Sequence, residues 1–61
     1  MILGEDGAKA GTCKIGPGFP EEVVYVKDNL VQAYLIVQPG TYDWTWDEES
    51  KRLDLVEVIG S

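Results

Sequence analysis

The sequence predicts an all-β fold, a small antiparallel meander of four to five strands. After Phe19, β-branched and aromatic residues recur at alternating positions, which is the period of a half-buried strand. Turn-forming residues at 28–29 and 39–40 separate these apolar runs. Consecutive strands joined by short turns form a meander, which at this length stays a curled sheet or closes into a small SH3-like or OB-like barrel.

We expect one domain over residues 1–61, and residues 1–20 are its Gly- and Pro-rich, irregular or edge-strand segment. Residues 2–3 and 12–15 are candidate short strands that flank a turn at Gly7. Residues 16–20 contain two glycines and two prolines, which predicts a structured loop because Pro lacks a backbone donor. We expect Phe19, within this loop, to cover the open end of the sheet.

The β-meander is expected over residues 21–59, and its first two strands over residues 22–27 and 31–38. Both segments are rich in β-branched and other apolar residues. A tight turn between them would place Val26 opposite Val31 and Val24 opposite Ala33. Pro39 and the glycine after it suit a type II turn, which splays a hairpin, so a corner is expected there.

The best-specified element is a hairpin with arms over residues 41–47 and 52–59. The alternating pattern predicts four facing pairs: Trp46 with Leu53, Trp44 with Leu55, Tyr42 with Glu57, and Asp47 with Arg52. The three aromatic residues of the first arm share one face. We expect at least one of the two tryptophans to be mostly buried, because aromatic residues dominate the cores of small domains.

Charge and hydropathy restrict the class of partner. The net charge is -6, and residues 41–61 carry six carboxylates against Lys51 and Arg52. This sign disfavours nucleic acid and anionic membranes as partners and favours a basic protein. The chain has no membrane-spanning apolar run and its start does not resemble a signal peptide, so a cytoplasmic protein is expected.

The residue types present argue against catalysis and against a bound cofactor or metal. The chain has no histidine and a single cysteine, Cys13, so a nucleophile–histidine pair, a structural zinc site and an internal disulfide are all disfavoured. We expect the Cys13 thiol to be buried. The glycine spacing of residues 11–16 resembles a phosphate-binding loop, but Pro17 stands where that loop needs lysine. The sequence therefore predicts a protein that is not an enzyme.

Two functions from different classes remain open. The first is a small acidic protein-binding or inhibitory module, of phage or immunity type, which docks on a basic protein surface. Its candidate binding residues are Asp43, Asp47, Glu48, Glu49, Asp54, Trp44 and Trp46. The second is a structural subunit that completes its core by homo-oligomerisation or by joining a larger assembly. A domain of this length buries only about 60% of its unfolded surface, which favours such support.

Overall fold

The computed structural model describes residues 1–59 and confirms the all-β class. Residues 1–59 form six strands, which are the two candidate segments before Phe19 and the four expected after it. Residues 1–59 include no helix that could cross a membrane. The strands are β1 (Ile2–Leu3), β2 (Ala10–Ile15), β3 (Glu21–Lys27), β4 (Leu30–Val37), β5 (Gly40–Asp47) and β6 (Arg52–Glu57).

The strands divide into two three-stranded sheets. The first sheet has the order β1-β3-β4, in which β1 runs parallel to β3; the second has the order β2-β5-β6 and is antiparallel. The expected corner at Pro39 connects β4 of the first sheet to β5 of the second. The β2–β5 pairing is the long-range contact that completes the second sheet.

The hairpin of β3 and β4 has the predicted turn but a different register beyond it. Asp28 and Asn29 both have positive φ, as a two-residue type I′ turn requires. Val26 pairs with Val31 as predicted. The prediction that Val24 faces Ala33 is wrong, because a bulge at position 32 shifts the register and Val24 pairs with Tyr34.

The bulge has a packing consequence. It turns Ala33 and Leu35 toward the core and Tyr34 away from it. Ala33 then lies opposite Tyr25, whose ring occupies the centre of the molecule with 2% of its surface exposed. A small residue at this position leaves room for the Tyr25 ring, which a second large side chain would displace.

The β5–β6 hairpin has the predicted register at all four pairs. Trp44 and Trp46 are both buried, at 5% and 3% exposure, so the expectation of at least one buried tryptophan is confirmed. Cys13 is also buried, as expected. The core comprises Leu3, Cys13, Ile15, Val23, Tyr25, Val37, Trp44, Trp46 and Leu53.

Phe19 does not cover the end of the sheet, and that prediction is wrong. Its side chain is 82% exposed in the loop between β2 and β3. The space at the centre of the molecule is occupied by Tyr25 and the two tryptophans, whose rings contact that of Tyr25. The core therefore closes without the Phe19 ring.

Candidate interaction surfaces

The carboxylates predicted to bind a partner lie on the outer side of the second sheet and in its hairpin turn. Asp43 and Asp47 alternate along β5 with Trp44 and Trp46, so the carboxylates face outward and the indoles face inward. Asp54 lies on β6 opposite Thr45 and is also exposed. The other two candidate binding residues, Trp44 and Trp46, are core residues with 5% and 3% of their surface exposed.

Glu48 is held by three donors from within the chain. The Lys27 ammonium forms a short ion pair with Oε1, the Lys51 ammonium lies 2.9 Å from the same oxygen, and the Trp46 indole N–H donates to Oε2 at 2.8 Å. The hydrogen bond from Lys27, followed by those from Lys51 and Trp46, lowers the pKa of Glu48 to about 2. Because Lys27 ends β3, this carboxylate ties the second sheet's hairpin turn to the first sheet.

Two further carboxylates also have partners inside the chain. Asp47 accepts hydrogen bonds from the Ser50 hydroxyl at 2.8 Å and from the Glu49 backbone N–H at 3.0 Å. The Ser50 hydroxyl is the main cause of a lowered pKa at Asp47, with a smaller effect from the charge of Arg52. Asp43 accepts a hydrogen bond of 2.9 Å from the Thr12 hydroxyl. Asp47 therefore organises its turn, and Asp43 links β5 to β2.

The first sheet carries a surface that the sequence analysis did not assign. Val23 and Tyr25 of β3 point into the core, so their neighbours point outward. The outward apolar side chains, here called the outer apolar face, are Ile2, Val24, Val26, Val31, Tyr34 and Ile36. Tyr34 and Ile36 are 55% and 57% exposed. The signal for this face was the unbroken apolar runs at 23–26 and 33–37, which are typical of strands covered on both faces.

One charged side chain lies on this face of β3 and β4. Glu22 alternates with Val23 and pairs with Ile36, so it points outward. Interaction of the Tyr34 hydroxyl with the Glu22 carboxylate raises the pKa of Tyr34. The carboxylates of the β5–β6 hairpin belong to the other sheet.

Strand β4 forms one edge of the first sheet, and its side chains carry no charge. Leu30–Val37 is eight residues long and contains no charged residue and no proline. Natural proteins usually protect an exposed edge strand with charges, proline or a short length, because unpaired backbone groups recruit other strands. The other strands that end a sheet have such protection, through the two-residue length of β1, Lys14 in β2, and Arg52, Asp54 and Glu57 in β6.

The free cysteine Cys13 is buried in the core. Burial is the main cause that raises the pKa of its thiol, with smaller effects from the charges of Glu21 and Asp43. Within residues 1–59, no group of three or more Cys, Asp or Glu side chains is placed to hold a metal ion. The thiol packs as a small apolar group.

Comparison of the chain with protein-family models, curated proteins and solved structures finds no match. The chemistry of the two outer faces and of the sheet edges is therefore what bears on function.

Proposed function

We propose that this protein is a structural subunit that self-associates through its first sheet and has no catalytic role. The observation that carries the proposal is the outer apolar face, on which Tyr34 and Ile36 are each more than half exposed. Contiguous apolar patches on small soluble domains mark interaction sites. A domain of this size also gains from association, because its own core is thin.

The distribution of charge supports a second copy as the partner. The chain has a net charge of -6, which opposes association of two copies in general. The carboxylates of the β5–β6 hairpin lie on the second sheet, however, and β4 of the first sheet carries no charge. Two copies that meet at the first sheet therefore avoid contact between their most acidic surfaces.

Sedimentation equilibrium of the wild type and of two matched lysine variants tests the proposal. The wild type is expected to show a multiple of the 6.7 kDa chain mass. Ile36→Lys puts a charge on the outer apolar face and should shift the mass to one chain. Val56→Lys puts the same charge at a 67% exposed valine on the outer side of the second sheet and should leave the mass unchanged. A wild type that stays at 6.7 kDa up to millimolar concentration contradicts self-association.

A second candidate is the acidic module that docks on a basic protein. The observation that favours it is the exposure of Asp43, Glu49 and Asp54 on one sheet and its turn. Complementary charge steers the encounter of such partners. The variant to test is the triple change Asp43→Asn, Glu49→Gln and Asp54→Asn, in which the amide oxygen introduced at position 43 remains an acceptor for the Thr12 hydroxyl.

The control for this second candidate neutralises three exposed carboxylates elsewhere, at Glu5, Asp6 and Asp28. Capture of a defined basic polypeptide, polylysine, is measured at low and high salt. A docking role for the hairpin requires that the triple variant lose more affinity than the control. Equal losses would mean that the carboxylates contribute only net charge.

A further inference from the structure

We propose that two copies pair edge to edge and antiparallel along β4, with Leu35 of each copy at the two-fold axis. This arrangement joins the two first sheets into one six-stranded sheet. It rests on the proposed self-association and adds the strand that pairs and its register.

The hydrogen bonds of β1 show which backbone groups of β4 face the free edge. The Met1 amine donates to the Glu22 carbonyl at 2.7 Å, and the Val24 N–H donates to the Met1 carbonyl at 3.0 Å. Backbone groups of successive strand residues point to opposite sides. The backbone N–H and C=O groups of Glu22 and Val24 therefore point toward β1. Those of Val23 and Tyr25 point toward β4.

The pairing of β3 with β4 then determines the direction of the backbone groups in β4. Leu35 and Ala33 lie opposite Val23 and Tyr25, so their backbone groups bond β3. Tyr34 and Ile36 direct their N–H and C=O groups at the free edge. Four strong hydrogen-bonding groups are thus aligned along three consecutive residues with no strand of residues 1–59 beside them.

Two features of β4 determine the axis. The bulge at position 32 ends the regular ladder on one side, and Pro39, which lacks an N–H, follows two residues after the strand's end at Val37. The regular segment is residues 33–37, and its centre is Leu35. A two-fold axis at Leu35 places Tyr34 of each copy opposite Ile36 of the other, which makes two such pairs. Each pair exchanges two backbone hydrogen bonds, so four form across the seam, as we call the contact between the two β4 strands.

The side chains at this seam suit a second copy. The facing Tyr34 and Ile36 make an aromatic–β-branched pair on the outer apolar face, which is a stabilising cross-strand combination. The two Leu35 side chains, which pack against the core of their own copies, meet on the inner side. Because β4 carries no charge, the seam brings no like charges together, and a charged peptide strand would gain no ion pair there.

Cysteine cross-linking in a Cys13→Ala background tests the register. Leu35→Cys places two thiols opposite each other in a non-hydrogen-bonded pair, with Cα atoms about 4.5 Å apart and within disulfide reach. Ala33→Cys and Val37→Cys also point inward, but each lies about 14 Å from its own copy across the axis, four residues at strand rise. We expect Leu35→Cys to form a disulfide-linked dimer under mild oxidation. The other two variants should remain without a cross-link. An equal mixture of the Ala33→Cys and Val37→Cys proteins should cross-link, since these positions face each other.

Ile36→Pro gives a second, independent readout. The Ile36 N–H faces the free edge, so proline there keeps the β3–β4 ladder but removes donors from the seam. We expect a folded protein by circular dichroism with the mass of one chain. A wild type that is monomeric overturns both the proposed function and this inference. A wild type that is dimeric, with no Leu35→Cys cross-link and with a dimeric Ile36→Pro variant, overturns the edge pairing alone and leaves association through the outer apolar face.

Discussion

The Tyr25 ring stacks on the Trp46 indole, with ring centroids 4.3 Å apart and planes at 12°. Tyr25 belongs to the first sheet and Trp46 to the second, so this contact joins the two sheets at the centre of the molecule. Trp44 also contacts the Tyr25 ring, at 5.8 Å and in a tilted arrangement. The Tyr25 hydroxyl reaches beyond the indoles and donates to the Ala8 carbonyl at 2.8 Å.

The first prediction separates the ring of Tyr25 from its hydroxyl. Tyr25→Ala removes the contact between the sheets and should lower the free energy of unfolding by about 3–5 kcal/mol. Tyr25→Phe keeps the ring and removes one hydrogen bond, so the loss should be about 1 kcal/mol. Urea unfolding followed by tryptophan fluorescence measures both values. Similar losses in the two variants would contradict the central role of the ring.

The second prediction concerns the close approach of Gly11 to Trp44. A Cβ at Gly11 would lie 2.9 Å from the indole Nε1, which is too close for an ordinary contact. Gly11→Ala should therefore destabilise the protein by roughly 1–3 kcal/mol through overpacking. Gly7→Ala is the control, since its Cβ meets open space and only its positive φ opposes the change. The near-ultraviolet circular dichroism of the indoles should change in the Gly11 variant and not in the control.

The third prediction uses the lowered pKa of Glu48, about 2 against an ordinary value of 4.5. The unfolded chain binds a proton at Glu48 more readily than the folded one, so this carboxylate stabilises the fold above its ordinary pKa. That contribution is lost as the pH falls from about 4.5 through the folded value. Glu48→Gln should flatten the dependence of the unfolding midpoint on pH over this window. The flattening should exceed that of the control Glu49→Gln, which removes an exposed carboxylate one residue further on.

The sequence predicted what local chemistry determines. The β5–β6 register follows from a charged turn and from facing Trp–Leu pairs, all within eighteen residues, 42–59. The bulge at position 32 was missed because the alternating pattern predicts continuous pairing from the turn onward and does not mark where an extra residue enters a strand. The β2–β5 pairing was missed because it joins residues about thirty positions apart, a contact that the alternating pattern does not specify.

The same division applies to the candidate site. The outward position of Asp43, Asp47 and Asp54 follows from the same strand alternation that places the aromatic residues of the first arm on one face. The engagement of Glu48 by Lys27 was not predicted, because it depends on how the ends of two sheets meet. The outer apolar face was not assigned either, since an apolar residue in a strand can face the core or a partner, and the sequence does not distinguish the two.

The last prediction concerns salt, which separates the two proposed functions. Association through β4 involves apolar side chains and backbone hydrogen bonds, while each copy carries a net charge of -6 that opposes it. Salt screens that repulsion, because the Debye length falls from about 10 Å at 0.1 M to about 3 Å at 1 M. The dimer dissociation constant, measured by sedimentation at 0.1 M and 1 M sodium chloride, should therefore fall or stay constant as salt rises. Docking of the acidic hairpin on a basic partner should weaken over the same range. A dimer that dissociates at 1 M salt would show that ion pairs between copies hold it together. The contact would then have to include the carboxylates of the second sheet instead of the uncharged strand β4.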